Sequence, residues 1–458
     1  MNMLIRVLVK NFLSFNEPVE FNLLPNNKRK RHEEHVYECS SLNLLKVAAI
    51  YGNNAAGKTN LLKAVNLAKF VASSKELFSK NNIYSDNVFR LSKSINPDIP
   101  ISIALEFISN DRFFYYHIDI LSNNVVNEQL SYKKNLDEIY SKLFTSKYLS
   151  DNRTLIVYDD LGNEINNYID DKLQVYFNKN SKASIISLQE DYPVIQNEVI
   201  EDVLKWFNDS LMIIDTEELL KNIIPVLNKD EGSQNYINQV LPTLSLGVSN
   251  ISLSTRPLSE ILDSEDEKDQ AELIEILNNM PDKVAGISKI QNHKTPLLSI
   301  LKEDGEVIVR QLVFTHSGAD GEDIEMTINN QSDGTKSSII IMYILNKLIN
   351  HNSIVFVDEI ENSMHPMIIR DLLEIFLKDK KSKGQLVYTT HESHLLDQEL
   401  LRADEIWFAQ KDNGSTRLYS LNDFKEHSAI DVQKGYFAGR YGAIPYLNSR
   451  ESLLCKED

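Results

Sequence analysis

The sequence predicts an α/β fold: a head with a mixed sheet, split in two and interrupted by a strand-rich arm and a mainly helical insertion. Three observations predict it. Residues 47–65, VAAIYGNNAAGKTNLLKAV, pass from an apolar segment of strand length through a glycine loop into helical periodicity, with Leu61, Leu62 and Val65 on one face. Residues 354–359, IVFVDE, are four apolar β-formers followed by two acids. Asp358 lies 300 positions after Lys58 (358 − 58), too far for a compact phosphate-loop domain, so the head must be interrupted.

The stretch Gly52-Asn53-Asn54-Ala55-Ala56-Gly57-Lys58-Thr59 fits the pattern G-x-x-x-x-G-K-[ST], and Asn60 continues into the helix. A strand, a glycine loop and a helix in that order are what phosphate binding requires. The glycines let the backbone wrap closely round an anion with its N–H groups inward, and the helix N-terminus adds a favourable partial charge. Lys58 can reach β- and γ-phosphates, and the Thr59 hydroxyl can ligate Mg²⁺. The ligands expected at residues 52–60 are therefore ATP and Mg²⁺. A plain strand-to-helix turn that happens to carry Gly and Lys would lack the partners found downstream.

Composition narrows the class. The formal charge is −18, from 66 acids and 48 bases, so the surface repels nucleic acid on average and does not support a simple DNA-coating protein. A local basic groove stays open, and nucleic-acid contact is left unassigned. Cys39 and Cys455, near opposite ends, suit neither a disulfide framework nor a zinc site, which points to a reducing cytosol and a cytoplasmic protein. Arg6 and Lys10 interrupt the apolar N-terminus, so no signal peptide is expected there. No run reaches bilayer-spanning length, and no membrane association is expected.

In chain order, residues 1–130 read as the N-terminal part of the head with the glycine loop and the strand-rich arm. Strands are expected over 3–9 and 19–23, and a helix from the glycine loop to about residue 77. Residues 25–35, PNNKRKRHEEH, read as a solvated polar loop. Ile101, Ile103, Leu105 and Phe107 alternate, and 113–121 and 125–133 continue a meander. Residues 131–285 read as the mainly helical insertion, for sensing or partner docking. It holds an amphipathic helix over 198–211 with Trp206 and Phe207, and another over 258–277 with an acidic face. No heptad repeat persists. Residues 286–458 return to the head, with strands near 287–290, 297–301, 307–314 and 324–328. A helix over 336–350, the strand 354–357, a helix over 366–378 and strands at 385–388 and 406–410 follow.

A buried parallel strand ending at the phosphate loop lets its first acid, Asp358, hold Mg²⁺ through water. Glu359 is placed to polarise the attacking water. Two such halves held far apart resemble the head of ABC-type ATPases, SMC-like ones included. Residues 331–338, QSDGTKSS, open a helix, and Gly334 lies 24 residues before Asp358 (358 − 334). They resemble a divergent ABC signature, which implies that Ser332, Gly334 and Lys336 reach the γ-phosphate bound by a second subunit. A helix N-terminus offering N–H groups and a hydroxyl suits that task, and Ser332 caps the helix in either case. His391 ends the 385–388 strand region, 33 residues after Asp358 (391 − 358). It resembles the switch histidine of the same ATPases, which implies contact with the γ-phosphate. Residues 361–366, ENSMHP, occupy the position of the dimer-contacting D-loop, and the Q-loop glutamine stays unassigned.

Taken together, NFLSF, YGNNAAGKTNLL, the arm near 90–130, SDGTKSS, FVDEIENSMHP, TTHESHLL and the tail GYFAGRYGAIP over 435–445 resemble one family. It is the prokaryotic abortive-infection ATPases of the AbiLi and RloA type, grouped with the OLD, Septu and PARIS ATPases. Ala56 stands where serine is frequent and Thr59 replaces the commoner serine; neither change removes a needed group. The resemblance implies ATP hydrolysis to ADP and phosphate, a homo-oligomer of at least two copies joined through the ATP sites, a separately encoded effector, commonly a nuclease, and a phage protein as trigger. OLD proteins fuse a Toprim nuclease after the ATPase; the 67 residues after His391 (458 − 391) are too few for one. Two other readings stay open: a DNA-repair ATPase of the SMC or RecF kind, and a scaffold whose nucleotide sites only hold an oligomer together.

Overall fold

The structure is a computed structural model, and it describes residues 1–39, 42–74, 83–91, 98–122, 124–148, 154–158, 184–188, 198–244, 246–256, 270–271, 274–275, 285–288, 298–303, 306–362, 364–424 and 431–444. The chain divides into two units. The first comprises residues 1–213, 352–359 and 377–458, and the second comprises 214–351 and 360–376.

The first unit is built on a six-stranded sheet. Its order is Leu211–Ile214, Ile354–Val357, Gln385–Thr390, Val47–Gly52, Ile406–Asp412 and Ser415–Ser420. Ile354–Val357, Gln385–Thr390, Val47–Gly52 and Ile406–Asp412 run parallel. Every residue of VAAIYG, IVFV and QLVYTT is buried, as expected for strands covered on both faces. The last two strands form an antiparallel hairpin turned by Asn413 and Gly414, both at positive φ (49° and 85°). That is the backbone a two-residue hairpin turn demands. Parallel pairing brings the C-terminal ends of three strands to one edge: Thr389 pairs with Ile50, and Thr390 with Tyr51. Gly52 closes one of those strands, and Asp358 and His391 directly follow the other two.

This unit also holds a seven-stranded antiparallel sheet, in the order Thr154–Tyr158, Ser141–Tyr148, Asn124–Lys133, Arg112–Leu121, Ile101–Ser109, Met3–Lys10 and Val19–Asn22, and a small hairpin of Val36–Cys39 with Leu42–Leu45. Alternating burial in Arg112–Leu121 gives it one core face. Phe107 stacks on Trp206 with ring centroids 4.0 Å apart, and Phe114 and Phe207 join them. The helix expected over 198–211 is regular only over Glu198–Lys205; a π-turn over Trp206–Ser210 and the strand Leu211–Ile214 follow. The wider turn sets the adjacent Trp206 and Phe207 closer in angle, and both are fully buried. Gln385 joins the two sheets: it accepts from Leu4 N at 2.6 Å and donates to the Leu4 and Leu45 carbonyls. The tail folds back on the hairpin, with Phe408 stacked 5.6 Å from Tyr441 and 5.8 Å from Tyr436.

The second unit holds a five-stranded antiparallel sheet. Val248–Arg256, Glu306–Ser317, Leu298–Glu303 and Ala285–Ser288 pair in that order, and Asp323–Thr327 adds to Glu306–Ser317. The helices Thr216–Lys221, Ile223–Lys229 and Glu231–Val240 precede it, and the 18-residue helix Asp333–Asn350 follows. Asp230 caps Glu231–Val240 and accepts from Lys347 Nζ at 2.6 Å, while Asn346 donates to Ser233 Oγ at 2.8 Å. The helix expected over 258–277 lies almost entirely outside the described residues. Among the described residues, no helix is long and apolar enough to cross a membrane.

Candidate functional site

The glycine loop leaves the strand Val47–Gly52 and enters the helix Lys58–Ser73 through two left-handed residues, Ala55 at φ 61° and Gly57 at φ 100°. Such reversals curve successive N–H groups into a concave nest suited to an anion. Both glycines are demanded by close approach. A side chain at Gly57 would collide with Thr416 Oγ1 and Ser14 Oγ, and one at Gly52 with the Ala409 carbonyl. Thr416 Oγ1 donates to the Ala56 carbonyl at 2.7 Å and lies 2.7 Å from Ser14 Oγ. Asn60 Nδ2 donates to the same Ser14 hydroxyl at 2.7 Å. Ser14, Asn60 and Thr416 therefore brace the loop from behind, while Asn54 and Ala55 stay exposed at its tip.

Lys58 is buried, and its Nζ donates to the Gly52 carbonyl at 2.7 Å and the Asn53 carbonyl at 3.2 Å. The same Nζ lies 3.1 Å from His391 Nε2. His391 Nε2 is in turn 3.5 Å from Glu359 Oε1. Lys58, His391 and Glu359 thus form one continuous polar chain at the edge where the parallel strands end. Asp358 lies at the same edge and accepts a hydrogen bond from Thr389 Oγ1 at 2.5 Å. Thr389 Oγ1 also accepts from Glu359 N at 2.8 Å. Glu359 adopts φ 47°, a left-handed conformation costly for a residue with a side chain, and its carboxylate is largely exposed.

These residues suit nucleotide and Mg²⁺. A hydroxyl at Thr59 and a carboxylate at Asp358 are hard oxygen donors of the kind Mg²⁺ takes. The braced loop with Lys58 across its mouth is a cradle packed so closely on Ser14 and Thr416 that position 57 has no room for a side chain.

Ser332, Gly334 and Lys336 belong to the second unit, at the start of the helix Asp333–Asn350. Ser332 is the N-cap: its Oγ accepts from Thr335 N at 3.2 Å and lies 2.9 Å from Thr335 Oγ1. Ser338 Oγ donates to the Gly334 carbonyl at 2.8 Å, and Lys336 pairs with Asp333 at 3.2 Å. A cavity lined by Thr216, Leu220, Lys336, Ile340, Ile360 and Asn362 opens beside this first turn. Asn362 Nδ2 donates to Thr216 Oγ1 at 3.1 Å, which ties the D-loop-like segment to the cavity wall.

Three residues of the first unit escaped sequence reasoning. Thr389 carried a signal, because hydroxyl residues ended a strand where apolar ones would fill a core. Ser14 lay in the NFLSF segment without an assigned role. Thr416 sits in an ordinary hairpin strand, and only the three-dimensional approach to the loop reveals it.

A family model described as "AAA domain, putative AbiEii toxin, Type IV TA system" matches residues 47–397. Among solved structures, the chain is similar to an Smc head bound to the C-terminal winged-helix domain of ScpA, at 13% identity over 91% of this chain and 97% of that one, with a TM-score of 0.45. It is similar to the SMC head domain from Thermotoga maritima, at 12% identity over 91% and 98%, with a TM-score of 0.41. An Smc head domain with an extended coiled coil, bound to the C-terminal domain of ScpA derived from Pyrococcus furiosus, aligns at 14% identity over 96% and 99%, with a TM-score of 0.40. No curated protein matches the chain.

Proposed function

We propose a function from one premise: the chain belongs to the AAA-domain family whose model spans residues 47–397. In this reading it binds ATP with Mg²⁺ and hydrolyses it to ADP and phosphate. The observation that carries the reading is the polar chain Lys58–His391–Glu359 beside Asp358, all at one edge of the parallel strands.

Residues 52–60 hold the phosphates, with Lys58 aimed at their outer end. Thr59 and Asp358 would hold Mg²⁺, which supplies charge neutralisation on the phosphates when bound. Glu359 orients a water and takes its proton, and His391 carries the contact between that carboxylate and the phosphate side of the loop. Ser332, Gly334 and Lys336 complete the site of a second copy, so that the active form is a homo-oligomer of at least two chains. ATP then acts as a ligand that shifts the population toward the joined state by its differential affinity.

The biological setting is a prokaryotic anti-phage system of the abortive-infection type. The family's description as a toxin of a toxin–antitoxin system supports a growth-arresting role. The toxic step resides in a separately encoded effector, a nuclease, and a phage protein is the trigger. The test is Glu359→Gln: phosphate release should fall at least about 100-fold while ATP stays bound and the chains remain joined, read by light scattering. Hydrolysis at the wild-type rate would overturn the role of Glu359. ATP binding with negligible turnover in the wild type would establish the scaffold reading, and stimulation of turnover by duplex DNA the repair reading.

A further inference from the structure

The polar loop over 25–35 contains a cluster that nucleotide binding does not use. His32, Glu34 and His35 each offer one ligand atom, and these atoms lie within 4.8 Å of one another. His32 Nδ1 is 3.5 Å from Glu34 Oε1, and His35 Nε2 is 3.9 Å from the same oxygen. The rings stack with centroids 4.8 Å apart.

The far nitrogen of each ring decides the protonation of the near one. His32 Nε2 lies 3.0 Å from the Gln398 carbonyl, which can only accept, so that nitrogen carries the proton and Nδ1 the lone pair. His35 Nδ1 lies 3.1 Å from both oxygens of Glu405, a fully buried carboxylate that also accepts from Arg402 N at 2.7 Å. Its proton therefore faces Glu405, and Nε2 carries the lone pair. Two imidazole lone pairs and a carboxylate oxygen then lie within 4.8 Å of one another, an arrangement that repels itself unless a cation sits among them. A carboxylate and a backbone carbonyl on the outer nitrogens are also the partners that orient histidines toward a metal.

We propose that His32 Nδ1, Glu34 Oε1 and His35 Nε2 form a binding site for a divalent transition-metal ion, zinc by ligand chemistry. Two imidazoles and one carboxylate favour zinc over magnesium or calcium. A tetrahedral zinc about 2.0–2.2 Å from each ligand sets them about 3.4 Å apart, close to the 3.5 Å edge already present. The partly exposed Glu34 side chain can swing to shorten its 3.9 Å separation from His35 Nε2, and a small turn of the His32 ring brings its Nδ1 in. Water would take the fourth position. The ion ties the loop to the 402–405 turn, where Arg402 already donates to the Arg31 carbonyl at 2.8 Å and Ile406–Asp412 begins beside the glycine-loop strand.

The test uses the full chain, stripped with chelator and free of nucleotide, titrated with Zn²⁺ alone and separately with Co²⁺. One equivalent of zinc should bind and raise Tm, and Co²⁺ should give the absorption of a tetrahedral site. Glu34→Gln should weaken zinc binding at least about 10-fold, as should His32→Asn, which retains a residue tolerant of the left-handed φ of 55°. Glu405→Gln should weaken it by about 10- to 100-fold. Lys58→Ala should leave it unchanged, which separates this site from the phosphate loop. Wild-type protein that binds no zinc, or variants at 32 and 34 that bind as tightly as wild type with an unaltered metal-free Tm, would overturn the site and leave a proton shared among the three groups.

Discussion

Thr389 and Asp358 are joined by a 2.5 Å hydrogen bond, and the hydroxyl that donates it also accepts the Glu359 N–H at 2.8 Å. One buried side chain thus sets the positions of both acids. Thr389→Val keeps the shape and removes the hydroxyl. It should lower kcat by about 10- to 100-fold with little change in KM for ATP, and Thr389→Ser should restore most of the loss. A Thr389→Ser variant as impaired as Thr389→Val would show that packing, and not the hydroxyl, matters.

Gly57 combines a left-handed φ of 100° with no room for a side chain between Ser14 and Thr416. Gly57→Ala should therefore cost about 1–3 kcal/mol in backbone strain and greatly weaken ATP binding. Gly247 has φ 71° but open space around it, so Gly247→Ala should carry strain alone and leave ATP binding intact. Thermal unfolding and fluorescent-nucleotide titration of the two variants measure the contrast.

Arg402 and Asp404 form a buried pair at 2.8 Å, with side chains 2% and 4% exposed. Arg402 also holds the Arg31 carbonyl. Arg402→Ala would leave Asp404 charged and desolvated, at a cost of about 3–5 kcal/mol. Urea denaturation of the variant checks it; a loss below about 1 kcal/mol would mean that water enters and resolvates Asp404.

Glu128 is fully buried, and burial pushes its pKa up; hydrogen bonds from Ser184, Ile185 N–H and Tyr116 oppose this only in part. A carboxyl raised in the folded state contributes stability that is complete below the unfolded value of about 4.5 and is lost as pH rises through the folded value. Relative to wild type, Glu128→Gln should thus gain stability between pH 4.5 and neutrality. Paired urea titrations at the two pH values read the change, and a pH-independent difference would contradict it.

The phosphate loop, the IVFVDE strand and the helices after them were legible because each rests on local pattern: apolar runs, glycine spacing, acids at a strand end. The strand Ser141–Tyr148 falls in a stretch whose texture predicts helix, because Lys142, Ser146 and Lys147 dilute its alternation and, among its described side chains, Leu143 and Phe144 are the apolar ones that are buried. The π-turn at Trp206 has no local signature; it answers to Phe107, a residue 99 positions away (206 − 107). The brace of Ser14 and Thr416 joins segments 402 residues apart, which no window of sequence can see. The His32–Glu34–His35 cluster was visible as letters, but only Glu405 and the Gln398 carbonyl show which ring nitrogens face inward.

The strand Val47–Gly52 lies between Gln385–Thr390 and Ile406–Asp412, with Val47 opposite Leu386. On the ribosome, that strand emerges 339 residues before its partner (386 − 47). At ordinary translation speed the wait is roughly 20–70 s, during which a wholly apolar strand has neither neighbour. A nascent chain that ends before Gln385 has the loop's letters but not its sheet, so the loop reaches its folded setting only when synthesis is nearly finished.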